Sequence, residues 1–99
     1  MTPVRATDVP GILARHGIDP DADAATLMAA LEARGWPVTV EATGIGRTQR
    51  YTAHATRVHE NRRPDSFPMV RTSIRTTGAT PRAALAFALA KALEKEQES

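Results

Sequence analysis

The sequence predicts an α+β fold: a single αβββα domain whose three-stranded antiparallel sheet carries its helices on one face. Three observations predict it. From Pro81 to about Glu96, the residues Ala84, Leu85, Ala88, Leu89 and Ala92 recur at helical spacing. Three segments, opening at Trp36, Gln49 and Met69, alternate apolar and polar side chains with the period of a half-buried strand. A further helical stripe precedes them between Asp19 and Gly35.

Taken in order, residues 1–18 form an N-terminal segment, and its first six positions carry no pattern. Asp8 opens a short helix over Val9 to His16, Pro10 sits in its first turn and Gly17 stops it. Residues 19–96 are the αβββα domain. Asp19 is the expected N-cap of its first helix, with Pro20 at the first helical position and Asp21 and Asp23 at the positive end of the helix dipole. Ala24, Leu27, Met28 and Leu31 make the apolar stripe, and Gly35 closes the helix after Arg34.

The first strand places Trp36, Val38, Val40 and Ala42 on one face and Thr39 and Glu41 on the other; Pro37 marks an edge or a strand start. Thr43 to Gly46 supply the turn. Gln49 to Val58 returns with Tyr51, Ala53 and Ala55 inward and Arg50, Thr52, His54 and Thr56 outward. His59 to Pro68 has two prolines, four charged residues and no periodicity, so it reads as a functional or mobile loop. Met69 to Thr76 is the third strand, with Val70, Thr72 and Ile74 inward and Arg71, Ser73 and Arg75 outward. Thr80-Pro81 repeats the capping chemistry for the last helix, and residues 97–99 form a frayed tail.

Composition narrows the function classes. A chain of 99 residues buries only about two-thirds of its unfolded surface. Only Trp36, Tyr51, Phe67 and Phe87 are aromatic, so small aliphatic residues must fill a modest core that a second subunit would help to complete. The absence of cysteine removes disulfides, thiolate metal sites and cysteine nucleophiles. No apolar run approaches the ~20 residues of a membrane span, and the start Met-Thr-Pro-Val-Arg lacks a signal-peptide core. The expected location is the cytoplasm, with no membrane contact.

The net charge is +2, but residues 1–35 carry three Arg against five acids, whereas residues 36–82 carry eight Arg against three acids. On the expected outward sheet face Arg50, His54, Arg71 and Arg75 accompany Thr39, Thr52, Thr56 and Ser73, opposed by Glu41. Arg62 and Arg63 add a basic point in the long loop, to which Arg57 and Arg47 belong if the hairpin tip lies nearby. An open basic face suits an acidic protein partner, a second copy of the chain, or a polyanion. None of the aromatics falls on it, so the rings on which an RNA-recognition sheet stacks bases are missing.

Catalytic and metal patterns are weak. His54, His59 and Glu60 come close in sequence, but strand alternation sends the two histidines to opposite faces and no third ligand follows at a metal spacing. Gly44-x-Gly46 lies between two strands and is a turn, not a phosphate cradle. Glu41, Glu60 and Asp65, the candidates for paired carboxylates, sit on different elements. The expectation is a non-enzymatic protein with no cofactor and no metal.

Two resemblances follow from particular residues. One helix, three antiparallel strands and a C-terminal helix resemble the double-stranded RNA-binding domain, whose last helix opens with Gly-x-Ser-Lys-Lys-x-Ala-Lys. The matching stretch here is Gly78-Ala79-Thr80-Pro81-Arg82-Ala83-Ala84-Leu85, then Ala88 and Ala92-Leu93. The resemblance implies RNA binding through Arg82, the one cationic counterpart of three family lysines; Pro81 and Leu85 replace the others, which removes salt-dependent phosphate contacts. Residues 20–96 also resemble the small phage and prophage proteins called phage ABA sandwich domains, through Ala33-Arg34-Gly35-Trp36 and through Ala79-Thr80-Pro81-Arg82-Ala83-Ala84-Leu85-Ala86. That resemblance implies a mobile-element accessory protein and carries no catalytic residue. The expected function is binding or regulation through protein–protein contacts at Arg50, His54, Arg62, Arg63, Arg71 and Arg75, with nucleic acid as the alternative partner.

Overall fold

The computed structural model describes residues 5–60 and 69–98. The elements are α1 (Val9–Arg15), α2 (Ala24–Ala33), β1 (Val38–Thr43), β2 (Arg50–Glu60), β3 (Met69–Gly78) and α3 (Pro81–Glu98). Short 3-10 turns at Ala6–Asp8 and Gly46–Thr48 precede α1 and β2. The sheet is antiparallel in the order β1-β2-β3, and all three helices contribute to the core on one side of it, as the sequence pattern requires.

Both N-terminal helices end where glycine allows it. At the end of α2 the Trp36 N–H donates to the Leu31 carbonyl and the Gly35 N–H to that of Glu32, a Schellman closure that needs the φ of +85° found at Gly35. The same pair of bonds, from Ile18 to Leu13 and from Gly17 to Ala14, closes α1. Each closure tucks the following apolar residue back toward its helix, and Trp36 is 2% exposed as a result. α1 itself docks through Val9, Ile12 and Leu13, so the N-terminal segment supplies part of the core. Its expected cap does not form: the Asp8 carboxylate accepts from the Arg5 backbone N–H instead of from the helix.

The start of α2 departs from expectation. Asp19 does not cap a helix; its carboxylate accepts from the Asp21 N–H and its carbonyl from the Ala22 N–H, forming a tight turn. The helix begins at Ala24 with Asp23 as N-cap, whose carboxylate accepts from the Thr26 N–H at 2.8 Å. Hydrogen bonding from the Thr26 side chain, then from its backbone N–H, holds the Asp23 carboxyl below its ordinary range. The turn that stands in place of the expected first helical turn is also held from elsewhere in the chain. Arg82, on α3, donates Nε–H to the Ala22 carbonyl at 2.6 Å and its other nitrogen to the Pro20 carbonyl. Those acceptors would belong to the first turn of a helix starting at Pro20.

α3 also differs from the one-faced helix that the alanine stripe suggests, and it reaches Glu98 rather than Glu96. Ala84, Leu85, Ala86, Ala88, Leu89, Ala90, Ala92 and Leu93 are all buried. The helix rests on β2 and β3 with one side and on α1 and α2 with another. Ala83, Phe87, Lys91 and Lys95 are left toward solvent, with the Lys91 ammonium 5.0 Å from the centre of the Phe87 ring. Thr80 caps it as expected, its hydroxyl accepting from the Ala83 N–H. Where β3 passes the start of α3 the approach is close enough that a Cβ on Gly78 would lie 2.7 Å from the Ala84 nitrogen. One residue earlier but one, the buried Thr76 hydroxyl donates to the Ala84 carbonyl at 2.7 Å.

Two strand boundaries move. β2 continues through His59 and Glu60, which pair with Val70 and Met69, so these first two residues of the expected loop over 59–68 belong to the strand. β3 extends to Gly78, paired with Tyr51. Residues 61–68, including Arg62 and Arg63, lie outside the described residues.

Candidate functional site

The strand alternation is as predicted, and it sorts the polar side chains onto one face. Ala53, Ala55, Ile74 and Thr76 are buried on the inner face under the helices. Thr52, His54, Thr56, Arg71, Ser73 and Arg75 therefore project from the other face, away from the helices, with Arg50 at the end of β2 on the same alternation. Thr39, Glu41 and Thr43 of β1 join them there, because Thr39 pairs with His54, Glu41 with Thr52 and Thr43 with Arg50.

The register decides which of the predicted site residues meet. His54 lies directly opposite Arg75 on β3, with Thr39 on its other side. Arg71 lies opposite Val58, which is 52% exposed. Arg71 and Arg75 are thus about 13 Å apart along β3, as are Arg50 and His54 along β2. The four residues form a strip along the sheet and do not converge on one point. Arg50, Arg71 and Arg75 are exposed and His54 is half-buried. The ion pair formed among the described residues joins Arg15 to Glu94 on the helical side, so none of the strip's arginines is neutralised by a described carboxylate. Glu41 is the one carboxylate among the described side chains of this face.

Of the basic cluster expected around the long loop, Arg62 and Arg63 lie outside the described residues, while Arg47 and Arg57 are apart from one another. Arg47 lies in the turn before β2, at the end of that strand opposite to Glu60. Arg57 belongs to the inner face, where its guanidinium sits 5.7 Å from the centre of the Trp36 ring. Its alternation from Ala55 carried that signal in the sequence. Arg82 is likewise engaged internally: both of its described bonds go to backbone carbonyls of the turn before α2.

A cleft of about 390 Å³, which no sequence pattern indicated, opens at the end of the sheet where α1 and α3 begin. Val9, Pro10, Thr77, Ala83 and Phe87 line it, with Arg50 at the sheet side. Its walls come from four separate elements, so no local motif could have revealed it. Neither His54 nor Glu41 reaches it. Among the described residues, no group of three His, Cys, Asp or Glu side chains is arranged to hold a metal ion, and no helix is long and apolar enough to cross a membrane. No family model matches the chain, and neither a curated protein nor a solved structure is significantly similar to it.

Proposed function

We propose that this chain is a non-enzymatic binding and regulatory protein, of the mobile-element kind its strand-to-helix motif resembles, that works by protein–protein contact. The outward sheet face is its working surface, and the partner is an acidic protein segment or a second copy. One observation carries the reading: Arg71 and Arg75 stand exposed on β3, with His54 beside Arg75, on a face that no helix covers. Cations that fold stability needs are usually engaged with the rest of the molecule, as Arg82 and Arg57 are here. Those on the strip have hydroxyl neighbours instead, which suits recognition of carboxylates.

The double-stranded RNA reading depends on Arg82 at the head of the last helix, and that guanidinium is occupied by the Pro20 and Ala22 carbonyls. The protein reading therefore ranks first.

The test is a charge reversal, Arg71→Glu with Arg75→Glu, compared with the unmodified protein by affinity capture and by light scattering. The expected result is loss of captured partners or a change in oligomeric state, with the melting temperature preserved. Unchanged partners and unchanged assembly would remove the sheet face from the function. Steeply salt-dependent binding of duplex RNA or DNA by the unmodified protein would favour the nucleic-acid reading.

A further inference from the structure

The ladder reveals which backbone groups of β3 lack a neighbour. The Thr56 N–H donates to the Pro37 carbonyl at 3.1 Å, so the even-numbered residues of β2 turn their backbone groups toward β1. The odd-numbered residues of β2 then face β3, where Ala53 meets Thr76, Ala55 meets Ile74 and Arg57 meets Thr72 in hydrogen-bonded pairs. It follows that on β3 the even residues bond inward to the ladder. Arg71, Ser73, Arg75 and Thr77 direct their N–H and C=O groups to the open edge.

β3 is the last strand of the sheet, and among the described residues no backbone hydrogen bond reaches that edge from any loop or helix. Three of these four residues, Arg71, Ser73 and Arg75, also carry exposed side chains on the outward face, while Thr77 lies at the cleft at the strand's end. Backbone valence and positive charge coincide on one line.

We infer that an extended acidic segment of a partner protein binds as a fourth strand along the free edge of β3. Its main chain bonds to Arg71, Ser73, Arg75 and Thr77, and its carboxylates stand opposite Arg71 and Arg75. This rests on the reading of the sheet face as the working surface and names the geometry of the partner. In an antiparallel ladder the residues that exchange both hydrogen bonds stand about 5.5 Å apart at Cα, with their side chains on the same face. A segment with acidic residues four positions apart therefore places one carboxylate beside each arginine. A second copy of β3 is the poorer occupant, because two such strands bring four guanidinium groups onto one strip and β3 contains no carboxylate to offset them.

The probe is a blocked peptide alternating valine with polar residues, with glutamate at every fourth position, titrated into the ¹⁵N-labelled protein. Amide hydrogen exchange is followed alongside chemical shift. The expected result is slowed exchange at the Arg71, Ser73, Arg75 and Thr77 amides, together with binding that a lysine-for-glutamate peptide lacks. Arg71→Glu with Arg75→Glu is expected to weaken the acidic peptide by roughly tenfold or more and to admit the lysine peptide.

Ser73→Pro separates the two levels of the argument. It removes an edge donor without touching the β2 ladder and keeps both arginines, so it should abolish edge protection and weaken binding. N-methylation of the peptide amides is the equivalent change on the other side and leaves the protein's fold untouched. If the acidic peptide binds with shifts on the outward face but no edge protection, and N-methylation does not weaken it, strand addition is overturned while the face reading stands. If it fails to bind even at low salt, both fall.

Discussion

Arg82 shows how a single side chain can be legible as a charge and illegible as a role. Its place at the head of the last helix, among the residues that resemble the RNA-binding pattern, suggested a phosphate contact. The structure gives its donors to the Pro20 and Ala22 carbonyls instead, linking α3 to a turn about sixty positions away in sequence. Hydrogen bonds from a charged donor to partly buried acceptors stabilise by about 1.5–3 kcal/mol. Arg82→Ala is therefore expected to lower unfolding free energy by roughly 2 kcal/mol in urea denaturation, and Arg82→Lys to recover only part of it, since an ammonium lacks the planar fork. A variant as stable as the original protein would contradict this role. Arg57 makes the same point from the other direction. It looked like an outlying member of a loop cluster, yet strand alternation past Ala55 places it inward over Trp36. Alternation was readable in the sequence; the ring it would meet was not.

At the scale of elements, chemistry that closes within a few residues was legible and chemistry that depends on distant partners was not. Gly17 and Gly35 stop their helices through bonds spanning five residues, and Thr80 caps α3 through one spanning three. The start of α2 was misplaced at Asp19, because Asp23 was read only as a charge at the helix dipole; in the structure Asp23 is the cap, and Arg82 bonds the turn that precedes it. The alanine-rich α3 looked one-sided because alanine is compatible with either a buried or an exposed position. Only the assembled molecule shows that α1 and α2 bury its second side. The Asp23 cap makes a specific pH dependence. Its carboxyl pKa is depressed from the ordinary 3.8 by hydrogen bonds that favour the charged form, so its stabilising contribution is present above that value. The contribution is lost as pH falls through the lower folded pKa. Asp23→Ala is expected to melt below the unmodified protein at neutral pH, with the gap closing as the pH falls below 3.8. A gap that persists unchanged into strong acid would contradict the assignment.

For the whole molecule, the fold class and the sidedness of the sheet followed from hydrophobic periodicity alone, because a sheet covered on one face must alternate. The candidate site was legible as a set of outward residues but not as a shape. Register places His54 beside Arg75, puts Arg71 opposite Val58 and leaves Arg50 near the cleft at the sheet's end, and register is fixed by pairings between strands. The central claim is that this uncovered basic strip is where the protein meets an acidic partner. It is tested most directly by titrating the ¹⁵N-labelled protein with poly-glutamate at low and at physiological salt and mapping the shifted amides. The expected result is a set of shifts centred on Thr39, His54, Thr56, Arg71, Ser73 and Arg75 that strengthens as salt falls, with α1 and α2 unmoved. Shifts confined to the helices, or none at low salt, would contradict it.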